Sequence, residues 1–559
     1  MDAIKGLLKD IYAGKLSPVF LDDLFTRIEV ARNEMAYTAK QGWDEKDVVL
    51  ITYADQFTNK QEKTLSVFDY FYQRHLADVF NIVHLLPFYP YSSDDGFSVI
   101  DYQQVSPVAG DWEDVRKLGL SSRLMFDYVC NHISASSEWF RQFLAGNPKY
   151  ENYFISLNGD SDLSGVTRPR QSPLLTAFRC ENGETRHVWT TFSADQIDLN
   201  FAHPDVLRDM LDVLLKYLAE GAEYVRLDAV GYMWKEPGTS CIHLHKTHLL
   251  VKLFRAVVDY VSPGTVIITE TNVPHQDNIS YFGNGCDEAQ MVYQFPLPPL
   301  VLHAIHCENG ETLKRWAAGL DACTPATTFF NFLASHDGIG LNPLRGLLPE
   351  PEILRLVEAL QQEGARVSYK NNPDGSTSPY EINVTYMDAL NRQADGDDIR
   401  LQRFMLAHAI LLAFPGVPAV YIQSILGSRN DIHGTKIAGH NRAINRQKYD
   451  VTEIEKILSK PDSLRARVFC ELKKLIACRT EQTAFHPCAP MRVIECHESV
   501  FAFTRGQGKE EIVCLFNLSA TPVQINFPSG SYQVLPGHLS LECHGEITLK
   551  AYQYIWLCH

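Results

Sequence analysis

Acidic side chains recur at the ends of short apolar runs in this chain, and their company limits what they can do. Asp127 closes the run LMFDYV, with Asn131 and His132 just beyond it. Arg226 and Asp228 close EYVRLDA, Glu270 closes TVIITET, and His336 and Asp337 follow TFFNFLAS directly. Asp94, Asp95 and Phe97 stand shortly after NIVHLLP. If these runs are strands whose ends meet in one mouth, several carboxylates face a common space. Two of them, held roughly 5–5.5 Å apart on opposite sides of a sugar ring, form the pair that a retaining enzyme needs to open an acetal. One attacks the anomeric carbon, and the other, with a raised pKa, protonates the leaving oxygen. Asp228 and Glu270, at consecutive strand ends, are the candidates. Arg226 lies two residues before Asp228 on the same strand and so faces the same side; its charge would keep the nucleophile ionised. Asp127 reads as a residue that orients this arginine.

The elements that must position these residues are legible as apolar runs. VVLITY (48–53), NIVHLLP (81–87), LMFDYV (124–129), EYVRLDA (223–229), TVIITET (265–271), QMVYQF (290–295), TFFNFLAS (328–335) and PAVYIQS (418–424) are continuous rather than alternating, as parallel strands covered on both faces are. Eight such runs separated by helical patterns predict a (β/α)8 TIM barrel, with its active site at the C-terminal ends of the strands. A doubly wound sheet is the rival, but the chain has no Gly-rich nucleotide loop; GNG at 283–285 reads as a turn.

Around this barrel, residues 46–490, three further parts are expected. Residues 1–45 carry apolar positions at helical spacing, at Ile4, Leu7, Leu8 and Ile11 and again at Leu21, Leu24, Phe25 and Ile28. Two inserts are too long for ordinary barrel loops: 133–190, an excursion domain after the third strand, and 340–395, which holds the polar run KNNPDGSTSPYE. From 491 to 559, closely spaced short strands (VFAFTR, EIVCLFNLS, PVQINF, EITLKAYQYIWL) predict an antiparallel β-domain.

Composition sets outer limits. A net charge of −16 opposes general binding to nucleic acid or to anionic membranes, so an anionic substrate needs a local basic cluster. Thirteen cysteines without a CxxC pair fit reduced thiols in the cytoplasm. No apolar stretch is long enough to span a bilayer, and the N-terminus lacks a signal-peptide layout. The partners expected are small molecules, with a homodimer left open. No metal or organic cofactor is called for: His243, His245 and His248 read as polar residues near a helix start rather than as a metal cluster.

In order and at the expected strands, FDYVCNH, EYVRLDAVGY, VIITETN and NFLASHDGIG resemble the four motifs of the α-amylase superfamily of glycoside hydrolases. The resemblance implies Asp228 as nucleophile, Glu270 as general acid/base, Asp337 as transition-state stabiliser with His336 and His132 on the same ring, and Arg226 as the family's arginine. ITYADQF, HLLPFYPYSSDDGFSVIDY, the triplet Arg168–Pro169–Arg170 and FSADQIDLN are similar to the sucrose phosphorylase subfamily. That likeness implies Asp94 and Arg442 on the far hydroxyls of a glucosyl ring, Phe97 and Phe192 as an apolar platform, and Gln196 near the nucleophile. It places Arg170, Tyr380 and Glu381 on two mobile loops that shape the acceptor site.

The chain departs from sucrose phosphorylases at Glu381, where they carry Gln, and after the triplet, where it reads QSPLL. Over its whole length, including GTSCIHLHKTHL, it resembles the glucosylglycerate phosphorylases of that subfamily. These convert 2-O-α-glucosylglycerate and phosphate, the co-substrate, into α-glucose 1-phosphate and glycerate. Both acceptors are anions, which suits the planar guanidinium groups. Three readings remain beside it: a sucrose or sucrose 6′-phosphate phosphorylase, a retaining α-glucosidase or transglucosylase, and a non-catalytic binding protein on the same barrel.

Overall fold

The computed structural model describes residues 1–157, 161–321, 323–372, 374–537 and 539–559. Residues 158–160, within the first predicted insert, and 373, within the second, lie outside them. All eight predicted runs are strands of one closed parallel barrel: β1 (Val49–Thr52), β2 (Ile82–Leu85), β3 (Arg123–Tyr128), β4 (Ala222–Leu227), β5 (Val266–Thr269), β6 (Met291–Tyr293), β7 (Thr328–Asn331) and β8 (Val417–Tyr421). Each pairs with its sequence neighbours, and β8 closes on β1 through Val49–Ala419 and Ile51–Tyr421. Nearly every residue of these strands is buried, because helices cover the outside and side chains fill the inside. The strands stop short of the predicted ends. Asp228 and Glu270 still donate a backbone N–H to the neighbouring strand, to Tyr128 O and Leu227 O, but the chain then turns away.

The N-terminal pattern forms two helices, α1 (Asp2–Tyr12) and α2 (Pro18–Glu34). Pro at the first turn and the Ser17 side chain, which accepts from the Phe20 N–H, start α2. Ile4, Leu8 and Ile11 of α1 and Leu24 and Ile28 of α2 are fully buried. They pack on two outer barrel helices, α3 (Pro204–Ala219) and α4 (His245–Val261). The Tyr12 hydroxyl donates to Phe201 O at 2.8 Å, and Arg27 pairs with Asp212 at 2.7 Å. The segment therefore braces the side of the barrel that carries β4.

The stretch after β3 holds a short helix (Glu138–Leu144) and a hairpin (Leu175–Arg179 with Thr185–Trp189), tied back to the barrel by His132–Ser134 pairing with Gln196–Asp198. The stretch after β7 was read as a polar, turn-rich run. It contains a helix (Glu350–Gln362) and a bulged hairpin, Arg366–Asn371 with Thr377–Asn383, whose second strand also pairs with Ile339–Gly340. Polar residues mark the turn of that hairpin, while its inner ends are covered by the barrel mouth.

At the C-terminus a six-stranded antiparallel sheet and a two-stranded sheet form. The predicted single run EITLKAYQYIWL divides into Glu546–Leu549 and Tyr554–Cys558, with left-handed Tyr552 (φ 51°) in the turn between them. Buried Arg505 joins this sheet to the barrel by donating to the carbonyls of Ala413 and His486. Among the described residues no helix is long and apolar enough to cross a membrane.

Candidate active site

At the C-terminal end of the barrel lies a pocket with ≈ 1050 Å³ of empty space, its open mouth included. Every residue singled out from the sequence as catalytic or substrate-binding lines it, except Arg226, which lies directly beneath. The lining includes Asp94, Phe97, His132, Arg170, Phe192, Gln196, Asp228, Glu270, His336, Asp337, Tyr380, Glu381 and Arg442.

Arg226 is fully buried and organises the floor. One terminal nitrogen bonds both Asp127 and Asp228, the latter at 2.8 Å. The other lies 3.8 Å from Glu270, and Nε donates to the Tyr293 hydroxyl at 3.0 Å. Asp127 also meets His84 Nε2 at 2.6 Å. Burial pushes Asp127 upward, but Arg226 and His84 outweigh it and hold its carboxyl below the ordinary range. Asp228 and Glu270 behave oppositely. Burial raises both and outweighs the opposing charge of Arg226, and neighbouring carboxyls add to the rise. The Ala229 N–H donates to Glu270 at 3.3 Å, from a residue with left-handed backbone (φ 49°). Two acids of raised pKa thus share one buried arginine, so their protons belong to the pair.

The wall opposite is made by the turn after β2 and by residues 441–446. Asp94, Asp95 and Gly96 all have positive φ, and a Cβ at Gly96 would sit 2.5 Å from Pro87 O. Only glycine fits there, and the tight turn swings both aspartates inward. Arg442 gathers three acids: Asp337 at 2.7 Å, Asp94 at 3.9 Å, and Glu381 through two bonds of 2.9 and 3.0 Å. Burial pushes Asp337 and Glu381 up, but Arg442, joined at Asp337 by Arg226 and Arg446, overcomes it and both lie below the ordinary carboxyl range. Arg446, one turn on, holds Asp95 at 2.6 Å and the His336 carbonyl at 2.8 Å. Phe97 stacks on His336 with ring centres 4.7 Å apart, and His132 meets the Phe97 carbonyl at 3.0 Å. Gln196 bridges Asp94 (3.4 Å) and His132 (3.3 Å).

Arg170 is held differently. Its guanidinium lies 5.2 Å from the Tyr380 ring centre and 5.7 Å from that of Phe192. Among the described residues it makes no ion pair; its one hydrogen bond is a 3.5 Å contact to Pro169 O. A cation over aromatic faces, opening into a pocket, is ready for an anion. The three histidines read as polar residues near a helix start have separate partners: His243 bonds the Tyr281 hydroxyl and His248 bonds Glu288, while His245 begins α4.

Several supporting residues carried no sequence signal of their own. His84 is a lone polar residue in an apolar strand. Lys235, its side chain buried, bonds Asp198 (2.8 Å) and Asn131 (2.6 Å) and so ties the loops after β3 and β4 together. Arg446 had a faint one, standing four residues after Arg442 in NRAINR.

The alpha-amylase catalytic-domain family matches residues 75–338. A glucosylglycerate phosphorylase of Escherichia coli (strain K12) is 57% identical over 555 residues, 99% of each chain. A sucrose phosphorylase of Bifidobacterium adolescentis is 30% identical, covering 78% of this chain and 86% of its own. The crystal structure of a sucrose 6F-phosphate phosphorylase from Thermoanaerobacter thermosaccharolyticum superposes with a TM-score of 0.75 at 26% identity, over 93% of this chain and 99% of that one. With its closed barrel, its acid pair and these relatives, the chain belongs to the glucosylglycerate phosphorylases, hexosyltransferases of the sucrose phosphorylase subfamily within the α-amylase superfamily.

Proposed function

We propose that this protein catalyses the reversible phosphorolysis of 2-O-α-D-glucosyl-D-glycerate to α-D-glucose 1-phosphate and D-glycerate through a covalent glucosyl-enzyme. Asp228 attacks the anomeric carbon while Glu270 protonates the departing glycerate oxygen. Arg226 makes the assignment. It lies 2.8 Å from Asp228 and 3.8 Å from Glu270, so its charge favours the ionised form of Asp228 more than that of Glu270, which supports this division of roles. Phosphate then takes the place of glycerate. Glu270 removes its proton, and attack from the same face restores the α configuration. Asp337 and Asp94, fixed by Arg442, grip hydroxyls of the glucosyl ring with His132 and His336, and Phe97 and Phe192 supply the apolar platform.

The observation that carries the phosphorylase reading is Arg170, a pocket-facing cation that, among the described residues, has no acidic partner within ion-pair distance. Water needs no such group, whereas phosphate and glycerate both do. The glycerate assignment draws its support from the 57% identical relative. The test is the reverse reaction. α-Glucose 1-phosphate is supplied with D-glycerate, glycerol, fructose, fructose 6-phosphate or no acceptor, and phosphate release is followed. Release confined to D-glycerate is expected. Release with fructose or its phosphate overturns the substrate but keeps the mechanism. Glucose formed in water from α-glucosides, with no acceptor active, reduces the enzyme to a retaining α-glucosidase.

A further inference from the structure

A guanidinium that touches only two ring faces and its neighbour's carbonyl has little of its own to fix it in place. The loop beneath must do so; its far end is bonded to Thr190 and Phe192, and its near end contacts the segment Gly238–Thr239–Ser240–Cys241–Ile242–His243, between β4 and α4. The Thr167 N–H donates to Ser240 O at 2.9 Å, and the Gly238 N–H donates to Asp162 O at 3.1 Å. Below these bonds Cys241 packs with Val166, Leu174 and Trp189 in a small apolar cluster apart from the barrel core. Val166 and Leu174 bracket the Arg170 loop in sequence, so the cluster clamps both of its ends. The Cys241 thiol is satisfied locally, 3.3 Å from Glu236 O.

The segment is itself firmly held. Cys241 and His243 both take left-handed backbone, with φ of 51° and 53°, which side chains bearing a Cβ adopt only where the surroundings impose it. His243 is imposed upon from three sides. Its N–H donates to Gly231 O at 3.0 Å and its Nδ1 meets the Tyr281 hydroxyl at 2.7 Å. A Cβ at Gly231 would lie 3.1 Å from its ring. Between the two turned residues, Ile242 faces the pocket.

We propose that this segment is a positioning element for Arg170, with Cys241 and Val166 as the pin, so that the anion-binding guanidinium is placed from the β4 side of the barrel. The inference rests on the reading of Arg170 as the anion-binding group. Loosening the pin lets Arg170 wander without touching the acid pair. Misplacement by about 1 Å of a binding group commonly costs 10- to 100-fold.

The experiment uses the full-length enzyme with Cys241→Ser and, separately, Val166→Ala, each with phosphate, D-glycerate and water as glucosyl acceptors. KM for both anions is expected to rise roughly tenfold, with the rate of glucosyl transfer to water and the melting temperature unchanged. Added to Arg170→Ala, either substitution should raise KM no further, because the two act through one group. Should Cys241→Ser fail to fold, Val166→Ala carries the test alone. Unchanged KM values in a folded variant of a phosphate-dependent enzyme, or effects that multiply with Arg170→Ala, overturn the proposal and leave the functional reading intact. A wild-type enzyme indifferent to phosphate overturns both.

Discussion

On the side of the pocket that faces Asp94, every charged group is tied to another. Arg442 holds Asp337 and Glu381, Arg446 holds Asp95, and Arg226 holds Asp127 and Asp228. Arg170, among the described residues, rests on ring faces and its neighbour's carbonyl, with no ion pair. The first arrangement is rigid, because moving one member leaves a buried charge unpaired, and it suits a ligand that never changes: the glucosyl ring. The second anchors the loop but leaves the guanidinium tip free to bond a ligand, which suits the half-site of the proposed reaction, where glycerate and phosphate would take turns. The contrast shows how one mouth divides its work, with fixed dipoles where charge develops and cation–π contacts where the partner is exchanged.

The comparison can be broken at several points. The largest effect is expected at Asp228. Asp228→Asn should lower the rate of α-glucose 1-phosphate turnover by about 10⁴-fold or more, since no nucleophile remains. A folded variant that keeps a tenth of its activity would remove Asp228 from its role. Next comes Arg442→Ala, which strands Glu381 and Asp337 in the interior. It should cost roughly 3–5 kcal/mol in denaturant unfolding as well as activity. A variant as stable as wild type would mean that the donor side is not locked as described. Arg170→Ala, in contrast, should leave stability alone and raise KM for phosphate and for glycerate by about 100-fold, with hydrolysis in water spared. Equal loss with water would erase the distinction between the two sides.

The smallest effect concerns pH. Asp127, Asp337 and Glu381 lie below their ordinary values in the folded protein. Their stabilisation is present above the ordinary carboxyl range and is lost as pH falls through the lowered values. Asp228 and Glu270 work in the opposite sense. The folded protein holds protons that the unfolded chain has released, so stability drains away as pH climbs from the ordinary range toward the raised values. Glu270→Gln removes part of that drain. Its gain in stability should grow as pH rises above the ordinary carboxyl range, followed by melting temperature at each pH. A gain that shrinks with rising pH would refute the sign.

The barrel was legible because burial on both faces leaves unbroken apolar runs, and all eight appear as strands. Their ends were not, because residues such as Asp228 and Glu270 stay in the ladder for one bond and then depart, and a polar side chain reads alike in either case. The hairpin of 366–383 was hidden for another reason. The polar residues Asn371, Asn372 and Asp374–Ser376 dominate the local composition, while the inner end of the second strand also pairs with distant Ile339 and Gly340. The acid pair and its arginine followed from the two-residue spacing of Arg226 and Asp228. His84, Lys235 and Arg446 act through partners 43, 37 and 351 residues away along the chain (Asp127, Asp198 and Asp95), and no local pattern encodes such distances.

The hairpin register has an evolutionary corollary. Ser368 lies opposite Glu381 and Tyr369 opposite Pro379, so Tyr380 is the extra residue of a bulge; it meets Arg170 while Glu381 meets Arg442. A single inserted or deleted codon upstream in the hairpin would shift both residues by one place. Arg170 would then lose its ring face and Arg442 its carboxylate. Length variation in this hairpin, more than point substitution, is thus an abrupt route by which descendants of this enzyme could lose one acceptor and acquire another.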